Sequence, residues 1–305
     1  MSLPNAANAI AKGSLFPQEL VPDFMNLVKG KSSLAALCGA SPIPFNGLKE
    51  FTFSMDNEVD IVAEGGAKSA GGAQVGSKTI VPIKIEYGAR VSDEFLYGSE
   101  EVAMDILRAF SDGWAKKVAR GLDIMAMHGV NPRTGLASTV IGTNCLDSAA
   151  GTTITYLASS STVDENIEAA VAGVQGYEYD VTGLIAGNIV RSALAALTNN
   201  NGKVYPELAW GGQPGQLNGL KTDFNSTVQY NNALARAYVG DFADAFKWGI
   251  AKEMPIEVIE YGNPDNDATA GDLKGHNQVY LRGEAFIGWG ILDGHAFAKI
   301  AASST

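Results

Sequence analysis

Positive charge is scarce in this chain. Its 22 lysines and arginines are outnumbered by 33 acidic residues, charged residues make up 18% of 305 positions, and the net charge is −11. A sequence-independent nucleic-acid binder needs lysine and arginine against phosphates, so tight gripping of DNA or RNA is excluded. Cysteine is scarcer still. Cys38 and Cys145 lie far apart without CxxC spacing, which reads as two reduced thiols and not as a disulfide framework. Three histidines, His128, His276 and His295, show neither HxxxH nor HExxH spacing, so no zinc site is expected. No run approaches the roughly 20 apolar residues that cross a bilayer. The N-terminal MSLPNAANAIAKG lacks the apolar core of a signal peptide. The expectation is a protein made and kept in a cytoplasm, with no membrane contact.

What is present is apolar residues, at 46%, and glycine, at 35 positions. That is enough to bury a sizeable core, and it excludes a disordered polyelectrolyte. So much glycine also implies many loops and bends.

Residues 1–48 are punctuated by Pro4, Pro17, Pro22, Pro42 and Pro44, which favours an extended arm with short helical fragments between Leu20 and Leu37. Residues 49–92 read as one long hairpin. Phe51, Phe53 and Met55 alternate on the outgoing strand. Ile83, Ile85, Tyr87, Ala89 and Val91 alternate on the return, with Lys84, Glu86 and Arg90 between them. The glycine-rich EGGAKSAGGAQVGSK forms the tip. An isolated two-stranded hairpin is marginal in water, so this one needs a surface to lie on.

Residues 99–128 read as a long helix, with Ser99 as N-cap and Gly129 as its end. Leu107, Phe110, Trp114, Val118, Leu122 and Met125 recur at three- and four-residue steps, giving one apolar stripe. Asp105, Arg108, Asp112, Lys116, Arg120 and Asp123 fall largely off it. Residues 136–272 read as a separate α/β or α+β unit with helices near 163–174 and 189–197. Residues 273–305 are strand-like again and are expected to return to the long helix.

No segment nominates an active site. EGGAKS invites a phosphate-loop reading, but Ala67 and Val62 stand where a Walker A loop needs glycine. Asp56, Glu58 and Asp60 alternate on one strand, and Asp265, Asp267 and Asp272 share a loop. A calcium site is conceivable there, yet Ile61 occupies the sixth position where an EF-hand needs glycine, and a solvated or salt-bridging face is the simpler account. No GxSxG elbow and no Cys/His signature occurs.

The order of parts, however, resembles a known family. The stretches PIPFNGLKEFTFSMDNEVDIVAEGGAKS, IEYGARVSDEFLYGSEE, GLDIMAMHGVNPRTGLA and VYLRGEAFIGWGILDGHAFAKI are similar to those of Hong Kong 97-type major capsid proteins from phages and prophages of Gram-positive bacteria. The resemblance implies an α+β capsid fold. Residues 1–48 would be the N-terminal arm, 49–92 the E-loop, 93–135 with 273–305 the P domain, and 136–272 the A domain. It implies hexamers and pentamers of the chain in an icosahedral virion shell around double-stranded DNA, an acidic or neutral wall suiting contents that must not stick. It implies no cofactor, no metal and no catalytic residue. Candidate contacts between subunits are Phe16, Phe24, Phe51, Phe53, Glu64, Lys68, Arg90, Asp93 and Glu94.

Some relatives carry a scaffolding region of about 100 residues before the arm. Here 48 residues precede the hairpin, so a separate scaffolding protein is expected, along with a portal and a maturation protease. Lys68 occupies a plausible cross-linking position, though no partner asparagine or acid can be placed. Two other readings compete. An encapsulin-type nanocompartment shell shares the fold, but its members usually begin with a cargo-capturing helix, and the proline-broken arm disfavours that. An α/β enzyme would need convergent titratable groups.

Overall fold

The computed structural model describes residues 32–55, 57–93, 100–156, 163–200, 202–253 and 256–303, with residues 100–106 and 253 described by their backbone. Phe16, Phe24, Glu94, Asp56, most of the arm and the Ser99 cap lie outside the described residues. The arm enters view at Ser32, which caps the five-residue helix α1 (Ser33–Leu37).

β1 (Leu48–Met55) and β2 (Ala73–Ile80) form an antiparallel ladder, Leu48 opposite Ile80 and Met55 opposite Ala73. This corrects the expected hairpin. The strand with the strong alternation, β3 (Ile83–Ser92), is not the return strand. It turns away after Pro82 and pairs with β13 (Gln278–Ile291) over ten residues. β2 alternates weakly because, up to its last residue Ile80, neither of its faces meets a core, whereas one face of β3 does.

α2 (Glu100–His128) is 29 residues long and close to the expected range. Leu107, Trp114, Val118, Leu122 and Met125 are buried, and Phe110 is partly buried. α2 packs on β13, whose odd-numbered residues, Val279 to Ile291, face the core. Gly283 lies in this row because the Trp114 ring occupies its place: a Cβ there would come within 2.9 Å of the ring. Trp289 stands opposite Trp248 on β11 (Phe246–Glu253), both sealed from solvent. β12 (Glu257–Ile259) completes this four-stranded sheet by pairing with β13, Glu257 opposite Arg282 and Ile259 opposite Tyr280.

The second sheet has the order β4-β14-β10-β5-β9-β8, with β4 (Thr152–Thr155), β5 (Gly183–Ala186), β8 (Gln216–Leu217), β9 (Leu220–Phe224), β10 (Ala235–Gly240) and β14 (Phe297–Ala301). The two-residue strands β6 (Thr198–Asn199) and β7 (Gly202–Lys203) pair apart from it. α3 (Leu146–Ala149) precedes β4, and α4 (Val163–Gln175) and α5 (Asn188–Ala196) bring Val163, Ala170, Val174, Val190 and Leu194 into a core with Leu184, Val239 and Ile300. Strand pairing therefore cuts across the segments drawn from sequence. β11 and β12, inside 136–272, join the sheet on α2, whereas β14, inside 273–305, joins the second sheet. One apolar cluster from Trp114 and Trp248 to Tyr238 and Phe297 runs between the two sheets.

Candidate intersubunit surface

The β1–β2 hairpin is eight residue pairs long, about 26 Å at the usual rise per residue. Its alternation puts Phe51, Phe53 and Met55 on one face, opposite Ser77, Val75 and Ala73. That face is bare: Phe51 is 69%, Phe53 64%, Met55 74% and Val75 68% exposed. Beyond the ladder the chain runs without regular structure to Gly72, and Val59 and Ile61 are each 95% exposed. Glu64 and Lys68 sit on this exposed loop. Apolar surface of this density on a slender projection marks an interaction site.

The root is fixed. Ile80 is fully buried, seated against Ile43, Gly288 and Gly290, and a Cβ on Gly290 would stand 2.6 Å from it. Gly47, at φ +94°, makes the turn into β1 because any Cβ there would meet the Ile80 carbonyl oxygen at 2.9 Å. Lys247 Nζ holds Glu50 at 2.8 Å across the same base.

Arg90 and Asp93 are engaged within the chain. The Arg90 guanidinium donates to both carboxylate oxygens of Asp265, to Asn263 Oδ1 at 2.7 Å, to Gln278 Oε1 at 3.2 Å and to the Gly271 carbonyl at 3.0 Å. The Asp265 carboxyl is held down at about 2, chiefly by the Arg90 hydrogen bond. Arg90 thus pins the 263–271 loop to β3. Asp93 is buried where its backbone N–H meets the Asn277 carbonyl at 3.0 Å. The acidic loop is satisfied from within: Asp267 accepts from the Thr269 and Ala270 amides, and Asp272 from those of Gly262 and Gly275. Among the described residues no group of three or more His, Cys, Asp or Glu is placed to hold a metal ion.

Sequence reasoning missed Asp123. It was placed off the helix stripe, yet it is fully buried. Its carboxylate accepts from Ser32 Oγ, the Ser33 amide at 3.0 Å, the Leu34 amide at 3.3 Å, Asn225 Nδ2 at 3.0 Å and Thr227 Oγ1 at 3.1 Å. One side chain thereby ties the N-terminal segment, α2 and the 225–227 turn together. Burial pushes its pKa up to about 6, against the opposing pull of those hydrogen bonds. The signal was available: LDIMAM leaves no polar side for the last turns of α2, and Ser32-Ser33 precedes a helix start.

A His–Asp–Tyr cluster adjoins it. His128 Nδ1 lies 2.7 Å from Asp147, and Nε2 lies 2.9 Å from the Thr227 carbonyl oxygen. Tyr238 donates to Asp147 at 3.0 Å, and Lys299 Nζ donates to the Asp147 carbonyl at 2.8 Å. Burial raises the Asp147 pKa, but the His128 hydrogen bond and charge outweigh it and hold the carboxyl below its usual range. Both ring nitrogens are occupied by structural partners, so neither is available as a general base. The cluster joins α2, α3, β10 and β14; it is a bracket and not a nucleophile–base pair.

Comparison with known proteins gives one consistent result. The model of the phage capsid family matches residues 12–302. A solved chain of Mycobacterium phage Ogopogo is 29% identical, with a TM-score of 0.77, covering 90% of this chain and 92% of that one. One of Gordonia phage Cozz is 22% identical at a TM-score of 0.75, covering 90% and 87%. A chain from the capsid of a native GTA particle, at 14% identity and a TM-score of 0.60, covers 89% and 90% and shares the fold. No curated protein sequence matches.

Proposed function

Because this chain belongs to the phage capsid family, we propose that it is the repeating subunit of a tailed-phage head, closing as hexamers and pentamers into an icosahedral shell around double-stranded DNA. Its α+β fold is the Hong Kong 97-like capsid fold, and its role is structural. The carrying observation is the hairpin: Phe51, Phe53, Met55 and Val75 share a face that no other described part of the chain covers. In a closed oligomer of identical chains, each hairpin lies on a neighbour. In that reading the ribbon is the E-loop, α2 with β13 forms the spine of the P domain, and the second sheet is the A domain. The net charge of −11 keeps the wall from adhering to packaged DNA. The chain then acts without cofactor or catalytic residue, and is assembled in the host cytoplasm with a separate scaffolding protein, portal and maturation protease.

Sedimentation and electron microscopy of the purified protein test this. Closed particles or capsomers are expected, and a stable 31.9 kDa monomer across concentration and salt overturns it. Scaffold dependence is read from the particle-diameter histogram. Expressed alone, the chain gives mixed sizes, and co-expression with a scaffold from its gene cluster narrows them. Uniform shells from the chain alone would remove the scaffold from the account.

A further inference from the structure

His128 is sealed inside the chain, with a side chain 4% exposed, whereas His276 and His295 stand on the surface. Its hydrogen bonds fix its protons. The Thr227 carbonyl oxygen, 2.9 Å from Nε2, can only accept, so Nε2 carries a proton. The Asp147 carboxylate lies 2.7 Å from Nδ1, and a bare nitrogen there would set lone pair against lone pair. Tyr238 does not relieve this contact: its hydroxyl donates to Asp147 at 3.0 Å and stands 3.5 Å from Nδ1. A proton on Asp147 would relieve it only by leaving the largely buried Lys299 ammonium, 3.5 Å from Oδ1, without the acid it pairs with among the described residues.

The charges around the ring agree. Thr227 joins this group to Asp123, its hydroxyl donating to that carboxylate at 3.1 Å while its carbonyl accepts from His128. Burial pushes the Asp123 carboxyl up to about 6, so it is ionised at neutral pH. Burial, with the Asp147 charge beside it, pushes the Tyr238 hydroxyl well above its ordinary value, so it keeps its proton; the buried Cys145 thiol is its other ionisable neighbour. Two anions, Asp123 and Asp147, therefore share this part of the interior with Lys299 and the ring. A doubly protonated ring balances them, and a neutral one leaves a buried negative charge uncompensated.

We infer that His128 stands doubly protonated in the folded chain, the buried cation of a lock between α2 and the second sheet, and that alkali opens the lock by removing the Nδ1 proton. Loss of that proton turns the contact with Asp147 from attraction to repulsion. The parts it would free are α2 on one side and α3, β10 and β14 on the other, the elements that carry His128, Asp147, Tyr238 and Lys299. The lock is a property of the folded chain and holds whether or not copies assemble.

The test is NMR of the full chain, isotope-labelled at the histidine nitrogens. At neutral pH both ring nitrogens of His128 are expected to carry protons, the signals being recognised by their proximity to the Tyr238 ring, whose centroid lies 6.4 Å away. A bare nitrogen on that ring overturns the proposal. The second measurement is the thermal midpoint of the unaltered chain against that of His128→Gln, which keeps a donor without the charge. In the unfolded chain the histidine gives up its proton near its ordinary value of about 6.5. The contribution of the lock is therefore full below that value and declines as pH rises above it. Between about pH 7 and about pH 9, above the Asp123 step, the gap between the two midpoints is expected to narrow. Cysteines and tyrosines are common to both chains and cancel in the difference. A gap that stays constant overturns the proposal. Should His128→Gln fail to fold, the nitrogen spectrum of the unaltered chain decides.

Discussion

Phe51 and Phe53 stand well exposed on β1, while Trp114, Trp248 and Trp289 are sealed between α2 and β13. Both regions are rich in large apolar side chains at regular spacing. They differ in what lies opposite. The α2–β13 junction is matched within the chain down to the glycine at 283 that admits the Trp114 ring. The hairpin has a matched root at Ile80 and, beyond it, two faces that meet solvent. The junction therefore accounts for folding, and the hairpin for what the folded chain does next. Substitutions in the two regions should separate these properties cleanly.

The largest effect on folding is expected from Trp114→Ala. Truncating a fully packed aromatic costs about 3–5 kcal/mol, read as a lowered denaturant midpoint, whereas Lys117→Ala on the exposed side of α2 leaves stability unchanged. Equal effects would break the distinction at its strongest point. Asp123→Asn comes next, at about 2–3 kcal/mol, because the amide turns one acceptor into a donor facing other donors. Asp123 also sets a pH dependence. Its folded value, about 6, lies above the ordinary 3.8. Between those values the native state binds more protons than the unfolded one, so this contribution to stability falls as pH rises from 3.8 toward 6 and is level above. Subtracting the pH–stability curve of Asp123→Asn from that of the unaltered chain isolates the slope.

Gly283→Val should cost about 1–3 kcal/mol by driving a side chain into the Trp114 ring. The smallest effect on folding belongs to the hairpin. Phe51→Ser with Phe53→Ser should leave the thermal midpoint nearly unchanged, since exposed substitutions rarely exceed about 0.5 kcal/mol. The same pair should abolish particles in the electron microscope. A trim that removes residues 54–74 sharpens this further, because it spares Ile80 and the root. A loss of folding in either variant would mean that the hairpin belongs to the core after all.

The helix and the alternation of β3 were legible in the sequence because each buries one face and leaves one wet. β2 was not, because AQVGSKTI meets water on nearly all sides and carries no period to read. The strong pattern of β3 was therefore assigned to the wrong partner. Asp123 was hidden for the opposite reason: at the end of α2 every face is buried, and an acid there is visible only through donors 89 to 104 positions away. Arg90 reads from the sequence as a candidate contact between subunits, and its partner within the chain is not visible there, since the loop that receives it lies 175 residues on.

The socket around Ile80 has a mechanical meaning. A ribbon clamped at one end and free along both faces is a cantilever, and Gly47 sits at its root. Over the length of the ladder, a tilt of about ten degrees at that root carries the far end roughly 4–5 Å sideways while no pair in the ladder changes register. Compliance is thereby confined to one joint, and a single sequence can meet neighbours at several angles without any rearrangement of its own interior.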